Sequence, residues 1–202
     1  MKSYALILAS AVLLGGCASQ PNVYYTLTAP LNEQVQAVVP DRVGPYTLAS
    51  VSVPPQVDDS MLVVRRSGDV LMKLAHDRWS APLGKQIDNA LAVQLTQLLG
   101  APPLSRSQVG GARAQVSQIT VDVQRFDMVA AQYAALSAVW QVSAAPGVAA
   151  PRNLVCYTEL QEPVSPGVAP LVQAQQLNVS RLALAISQAW QAGVTESHTR
   201  CQ

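Results

Sequence analysis

Residues 80–99, SAPLGKQIDNALAVQLTQLL, place Leu83, Ile87, Leu91, Leu95, Leu98 and Leu99 at helical spacing, with Lys85, Gln86, Asp88, Asn89, Thr96 and Gln97 mainly elsewhere. A helix with one apolar stripe has to bury that stripe against another layer, so this segment demands a sheet or a second helix beside it. Ser80 stands at the expected N-cap with Pro82 near the first turn, and Gly100 followed by Pro102-Pro103 ends the helix. A second amphipathic helix is expected over 170–191, with Leu171, Ala174, Leu177, Leu182, Ala185, Ile186 and Ala189 on its apolar side.

The rest of the pattern is strand-like. VYYTLT (23–28) has strand composition, and YTLASVSV (46–53) alternates until Pro54-Pro55 stops it. SMLVVRRS (60–67) and DVLMKLA (69–75) flank a turn at Ser67-Gly68. In QVSQITVDVQRF (115–126) the alternation changes phase before Phe126, which predicts a bulge. AALSAVWQVSA (134–144) and NLVCYTELQ (153–161) follow, joined by a Pro/Gly loop over 145–151. Strands, helix, strands, helix is the order of an α/β chain. The expected fold is a single layered domain, a mixed and mostly antiparallel sheet packed by two main amphipathic helices.

The N-terminus fixes the compartment. Met1-Lys2 precedes an uncharged apolar run from Tyr4 to Leu14, then Gly15, Gly16 and Cys17. This is the layout of a secretory signal, and its apolar run of about 11 residues is too short for the ~20 that a membrane span needs. LGGC resembles a bacterial lipobox, which implies that Cys17 receives a diacylglycerol, that the chain is cut before it and that the new amino group is acylated. The alternative is an ordinary secreted protein with Cys17 inside its signal. Ala18, where Asp would favour the inner membrane, implies sorting to the outer membrane of a diderm host. The expected organisation is a signal peptide over 1–16, a lipidated tether over 17–22, one domain over 23–192 and a tail over 193–202.

Cleavage before Cys17 removes 16 of the 202 residues, leaves 186, and leaves 12 of the 13 basic residues against 12 acidic ones. That length supports one real core. Formal neutrality supplies no basic field for nucleic acid or anionic headgroups. Charged residues make up 12% of the chain, well below the usual ~25%, which suits a chain that hides surface in an assembly. With Cys17 lipidated, Cys156 and Cys201 remain to face an oxidising periplasm. They would form a disulfide tying the tail to a strand, or else stay as a buried free Cys156 and a frayed Cys201.

No catalytic pattern emerges. The two histidines, His76 and His198, are not set in a G-x-S-x-G or Walker A context, so neither a nucleophile elbow nor a phosphate loop is expected. His198, Cys201 and Cys156 lack metal-ligand spacing. The reading is a non-enzymatic chain with no cofactor and no metal. The densest polar cluster is HDRW (76–79). With Arg65 and Arg66, the residues Asp77, Arg78 and Trp79 compose the expected partner surface, because polar groups around an aromatic are a common contact composition. The alternative is a solvated loop beside one core Trp.

Several stretches together resemble the PqiC/YmbA family of ABC-type transport auxiliary lipoproteins: YYTLT, VSVPPQVDDSMLVVR (51–65), HDRWSAPLGKQIDNALAVQLTQLLG (76–100), VDVQRFD (121–127), LSAVWQV (136–142) and the final helix LVQAQQLNVSRLALAISQAW. The resemblance spans roughly 23–191 and rests on order and spacing rather than on a signature site. It implies an outer-membrane lipoprotein on the periplasmic face, its palmitate-type acyl chains on Cys17. It further implies partnership with an MCE-domain periplasmic protein and inner-membrane transport components, in lipid transport that supports membrane integrity. A homo-oligomeric ring docking an MCE tunnel belongs to the same implication. The other function compatible with the residues is a stand-alone structural envelope lipoprotein.

Overall fold

Long alternating segments dominate the computed structural model, which describes residues 20–28, 44–109, 116–146, 153–192 and 198–201. Eight strands are β1 Val23–Tyr25, β2 Tyr46–Leu48, β3 Met61–Ser67, β4 Val70–Trp79, β5 Ser117–Val129, β6 Tyr133–Ser143, β7 Asn153–Pro163 and β8 Thr199–Cys201. Helices α1 Leu83–Leu99, α2 Arg106–Val109 and α3 Val168–Ala192 complete the described elements. Strand order in the sheet is β1-β4-β3-β5-β6-β7-β8, with β2 also on β5. The hairpins β3/β4, β5/β6 and β6/β7 and the pair β7/β8 are antiparallel. Pairs β1/β4, β2/β5 and β3/β5 are parallel. The expected mixed, mostly antiparallel sheet is therefore present.

On β5, residues Ile119, Val121 and Val123 are buried while Gln118, Asp122 and Gln124 face out. The β5–β6 register slips between Val123 and Arg125, which brings Phe126 back to the core side and accounts for the phase change in the sequence. Strand β2 and β3 share one edge of β5 end to end: Tyr46 pairs with Ser117 near its start, and Arg65 with Val129 at its end. Between them Ser52 makes an isolated bridge to Asp122, so the expected strand over 46–53 is interrupted.

Helix α1 starts at Leu83 with Pro82 as N-cap and no capping side chain, later than the expected Ser80. Ser80 has other work: its backbone N–H donates to the Tyr25 carbonyl, and its hydroxyl accepts from Gln86 Nε2 at 2.7 Å. Gly100 closes the helix in the left-handed conformation, φ 74°, its N–H returning to the Thr96 carbonyl. On α3 the sequence expectation needs a correction. Leu177 is 44% exposed, and the inward positions are filled by fully buried Gln175 and Asn178. Gln175 Nε2 donates to the Asp127 and Ala135 carbonyls at 2.9 and 3.1 Å, and Asn178 Nδ2 to the Ala134 carbonyl at 3.2 Å. Buried amides are tolerated because they serve backbone acceptors beside the β5–β6 turn.

Both long helices contribute to one core, where Leu91, Leu95, Leu182 and Ile186 meet Ile119, Leu136 and Trp140. Trp190 packs edge-on to Tyr46, ring centroids 5.4 Å apart. Burial pushes the Tyr46 hydroxyl pKa up to about 12, and that hydroxyl donates to the Ala101 carbonyl at 2.9 Å. The tail expected over 193–202 contributes a strand: β8 pairs with β7, and Cys156 and Cys201 sit opposite each other and are disulfide-bonded. Beside them Trp140 Nε1 donates to Thr158 Oγ1, which bonds Thr199 Oγ1, both at 2.8 Å and buried.

Candidate functional site

The residues expected to form a partner surface all lie on the β3–β4 hairpin, but the hairpin does not bring them together. Strand β4 runs on to Trp79 instead of ending near residue 75, so HDRW is strand and not loop. Arg65 pairs across the hairpin with Leu71, and Arg78 with Met61. The two groups are thus separated by seven positions of β4, roughly 20 Å along a strand.

At the base of the hairpin, β1 lies parallel to β4 and sets Tyr24 beside Arg78 and Tyr25 beside Trp79. Trp79 is 2% exposed and meets Phe126 edge-on at 6.3 Å. It is a core residue and offers nothing to a partner, which corrects its place in the expected surface. The physical reason is strand alternation: a residue two positions from Asp77, across from Tyr25, points to the helix-covered side. Asp77 accepts a hydrogen bond from the Tyr25 hydroxyl at 3.1 Å. Burial, and then that carboxylate, raise the Tyr25 pKa. Arg78 is half-buried, and its Nε has no hydrogen-bond partner among the described residues.

Nearer the hairpin tip, Arg66 is exposed. Arg65 is tied down: it donates to Asp127 Oδ1 at 2.9 Å and to the Gly68 carbonyl at 3.2 Å. Arg125 grips the other carboxylate oxygen, Nε to Oδ2 at 2.7 Å, and also reaches the Tyr133 hydroxyl and Glu159. Burial by itself would raise the Asp127 carboxyl, but the hydrogen bonds and charges of Arg125 and Arg65 outweigh it and hold the pKa below the usual carboxylate range. This clamp links the hairpin to β5. Sequence reasoning missed it, since Arg65 and Asp127 are joined only by the parallel β3–β5 contact. Exposed Val70 and Met72 on β4 were missed too, because a short apolar run reads equally as core.

The clamp has a pH signature. A carboxylate titrates near 3.9 in the unfolded chain and lower here, so between those values the unfolded chain binds more protons and stability rises with pH. The contribution is complete above the unfolded value and is lost as pH falls through the folded one. Asp127→Asn is expected to cost about 2 kcal/mol at neutral pH, the scale of a charge-assisted hydrogen bond, and to flatten the acid limb below about pH 4. Denaturant titrations at pH 7 and pH 3 measure both, and a variant that loses as much stability at pH 3 as at pH 7 would refute the assignment.

Cys17 lies outside the described residues. The first described strand begins at Val23, six positions after it. A groove of about 380 Å³ opens between Leu48, Leu104, Val109 and Gln118, and among the described residues no titratable side chain lines it. No cluster of three or more metal-ligating side chains occurs among the described residues.

A family model, the ABC-type transport auxiliary lipoprotein component, matches residues 25–187. The chain belongs to this family. The matched span of the lipoprotein runs from the end of β1 into α3, so it takes in the hairpin, the clamp, α1 and most of α3. Two crystal structures share its fold. One, an uncharacterized protein, is 16% identical over 84% of this chain and 98% of its own, with a TM-score of 0.63. The other, a protein from Xanthomonas campestris of the DUF330 family, is 15% identical over 83% and 94%, with a TM-score of 0.56. No curated protein matches the lipoprotein. Among its described residues no helix is long and apolar enough to cross a membrane.

Proposed function

We propose that the lipoprotein is a non-catalytic adaptor of an MCE-type intermembrane lipid transport system, anchored through Cys17 to the periplasmic face of the outer membrane. The observation that carries this reading is the family match over 25–187, coupled to a lipobox-like cysteine six residues before the first strand. A transport auxiliary component without an ATP-binding loop has to act on another chain that hydrolyses ATP. The low charge content and the exposed hairpin of Arg66, Val70 and Met72 support a protein partner, with self-association into a ring as the geometry that would seat a tunnel end.

Affinity purification of the tagged, lipidated protein from solubilised envelopes tests the reading. Recovery of an MCE-domain protein with inner-membrane transport components is expected, and deletion should raise sensitivity to detergents. Purification of the lipoprotein alone, with an unaltered detergent response, would favour a stand-alone structural role.

A further inference from the structure

We propose that β1 and the Tyr24–Arg78 pair rest against the phospholipid headgroup surface, so that the domain is held on the membrane in one orientation instead of swinging on its anchor. The inference rests on lipidation of Cys17. Five residues lie between Cys17 and Val23, so six Cα-to-Cα steps give a reach of at most about 21 Å at full extension. That is comparable to the depth of a headgroup region plus a strand or two, so β1 cannot move far from the bilayer.

The landing point of the tether is rigid. Tyr25 is held by Asp77 and by the Ser80 N–H on its carbonyl. Leu27 is buried, and its N–H donates to Gln86 Oε1 at 3.0 Å. Gln176 of α3 donates to the Thr26 carbonyl at 2.9 Å. A short tether ending on a fixed strand restricts rotation as well as distance.

The composition at this edge fits the interface. β1 ends the strand order, so its outer edge is open among the described residues. Val23 is 47% exposed and Tyr24 63%, the largest exposure of any big apolar side chain described. An aromatic ring with a polar tip is the side chain favoured at headgroup depth. Arg78, on the same sheet face as Tyr24, is half-buried, with its Nε enclosed and without a partner among the described residues. The charged end of the guanidinium, not the enclosed Nε, is the group that can extend to a lipid phosphate with the stem on the apolar surface.

The three native Trp residues make the test clean, since Trp79, Trp140 and Trp190 are each no more than 2% exposed. Tyr24→Trp adds a reporter at an exposed position. Val155→Trp, at a 41% exposed site on β7, is the control, with the four strands β4, β3, β5 and β6 lying between it and β1. Both are prepared as full-length lipidated protein and inserted in vesicles of phosphatidylethanolamine and phosphatidylglycerol carrying a headgroup nitroxide lipid. Tyr24→Trp is expected to lose most of the emission it adds, while Val155→Trp keeps its own. Acylated protein, verified by intact mass, whose Tyr24→Trp emission is unquenched would overturn the docking alone, and would leave β1 as an edge for another chain. Equal quenching at both sites would overturn a fixed orientation. An unacylated Cys17 would overturn the anchoring and the docking together.

Discussion

Cys17→Ala is expected to move the protein from the membrane pellet to the soluble periplasmic fraction. Each buried CH₂ of an acyl chain contributes about 0.8 kcal/mol to membrane binding, and one chain is marginal while several together hold firmly. Nothing else in the described residues substitutes for them: no helix spans a bilayer, and the chain after Cys17 carries equal numbers of basic and acidic groups. The exposed Val23 and Tyr24 present too little area to retain the domain unaided. Fractionation measures the outcome. Placing residues 18–202 behind an ordinary cleavable export signal gives the same test without an uncleaved precursor. Membrane retention of that second form would defeat the anchoring assignment.

Loss of the Cys156–Cys201 disulfide is expected to lower stability by about 3–4 kcal/mol, seen as a fall in Tm of roughly 10 °C for a domain of this size. The crosslink spans 45 residues, and closing a loop that long removes a large share of unfolded-chain entropy. The crosslink also fixes a strand that makes only three residue pairs, Cys156–Cys201, Tyr157–Arg200 and Thr158–Thr199. Without it, β8 is too short to stay paired, and the buried Trp140–Thr158–Thr199 chain of hydrogen bonds loses its last member. Thermal melts of Cys201→Ser, and of the unsubstituted protein with and without reductant, measure the effect. Identical melting in all three would show that β8 docking owes nothing to the covalent link.

The long elements were legible in the sequence because burial repeats in them. Leu83, Ile87, Leu91 and Leu95 on α1, and Ile119, Val121 and Val123 on β5, carry one face each, and even the slip before Phe126 shows as a break in phase. Where a partner from elsewhere in the chain supplies the reason, the sequence is silent. His76-Asp77-Arg78 look like a polar loop, yet they continue β4 because β1 lies alongside and Tyr25 satisfies Asp77. Leu177 looks like core on α3, yet Gln175 and Asn178 take the inward places to serve backbone carbonyls near the β5–β6 turn. The expected surface failed as a unit for the same reason. Trp79 belongs to the core, Arg65 to the Asp127 clamp, and only Arg66, with partly exposed Arg78, still faces outward.

The shared edge of β5 has a consequence for how the chain matures. β2 pairs only with β5 among the described strands, and β3 reaches the rest of the sheet through Arg65 beside Val129. Strands β5, β6 and β7 are joined by successive hairpins and can assemble from near neighbours. A chain delivered from its N-terminus therefore carries β1 to β4 across as an open, unfinished half, and closes only after residue 129 has followed. During that interval the core side chains Leu62, Val64 and Ile87 lack the β5–β7 part of the core, the kind of transient apolar exposure at which aggregation competes with folding.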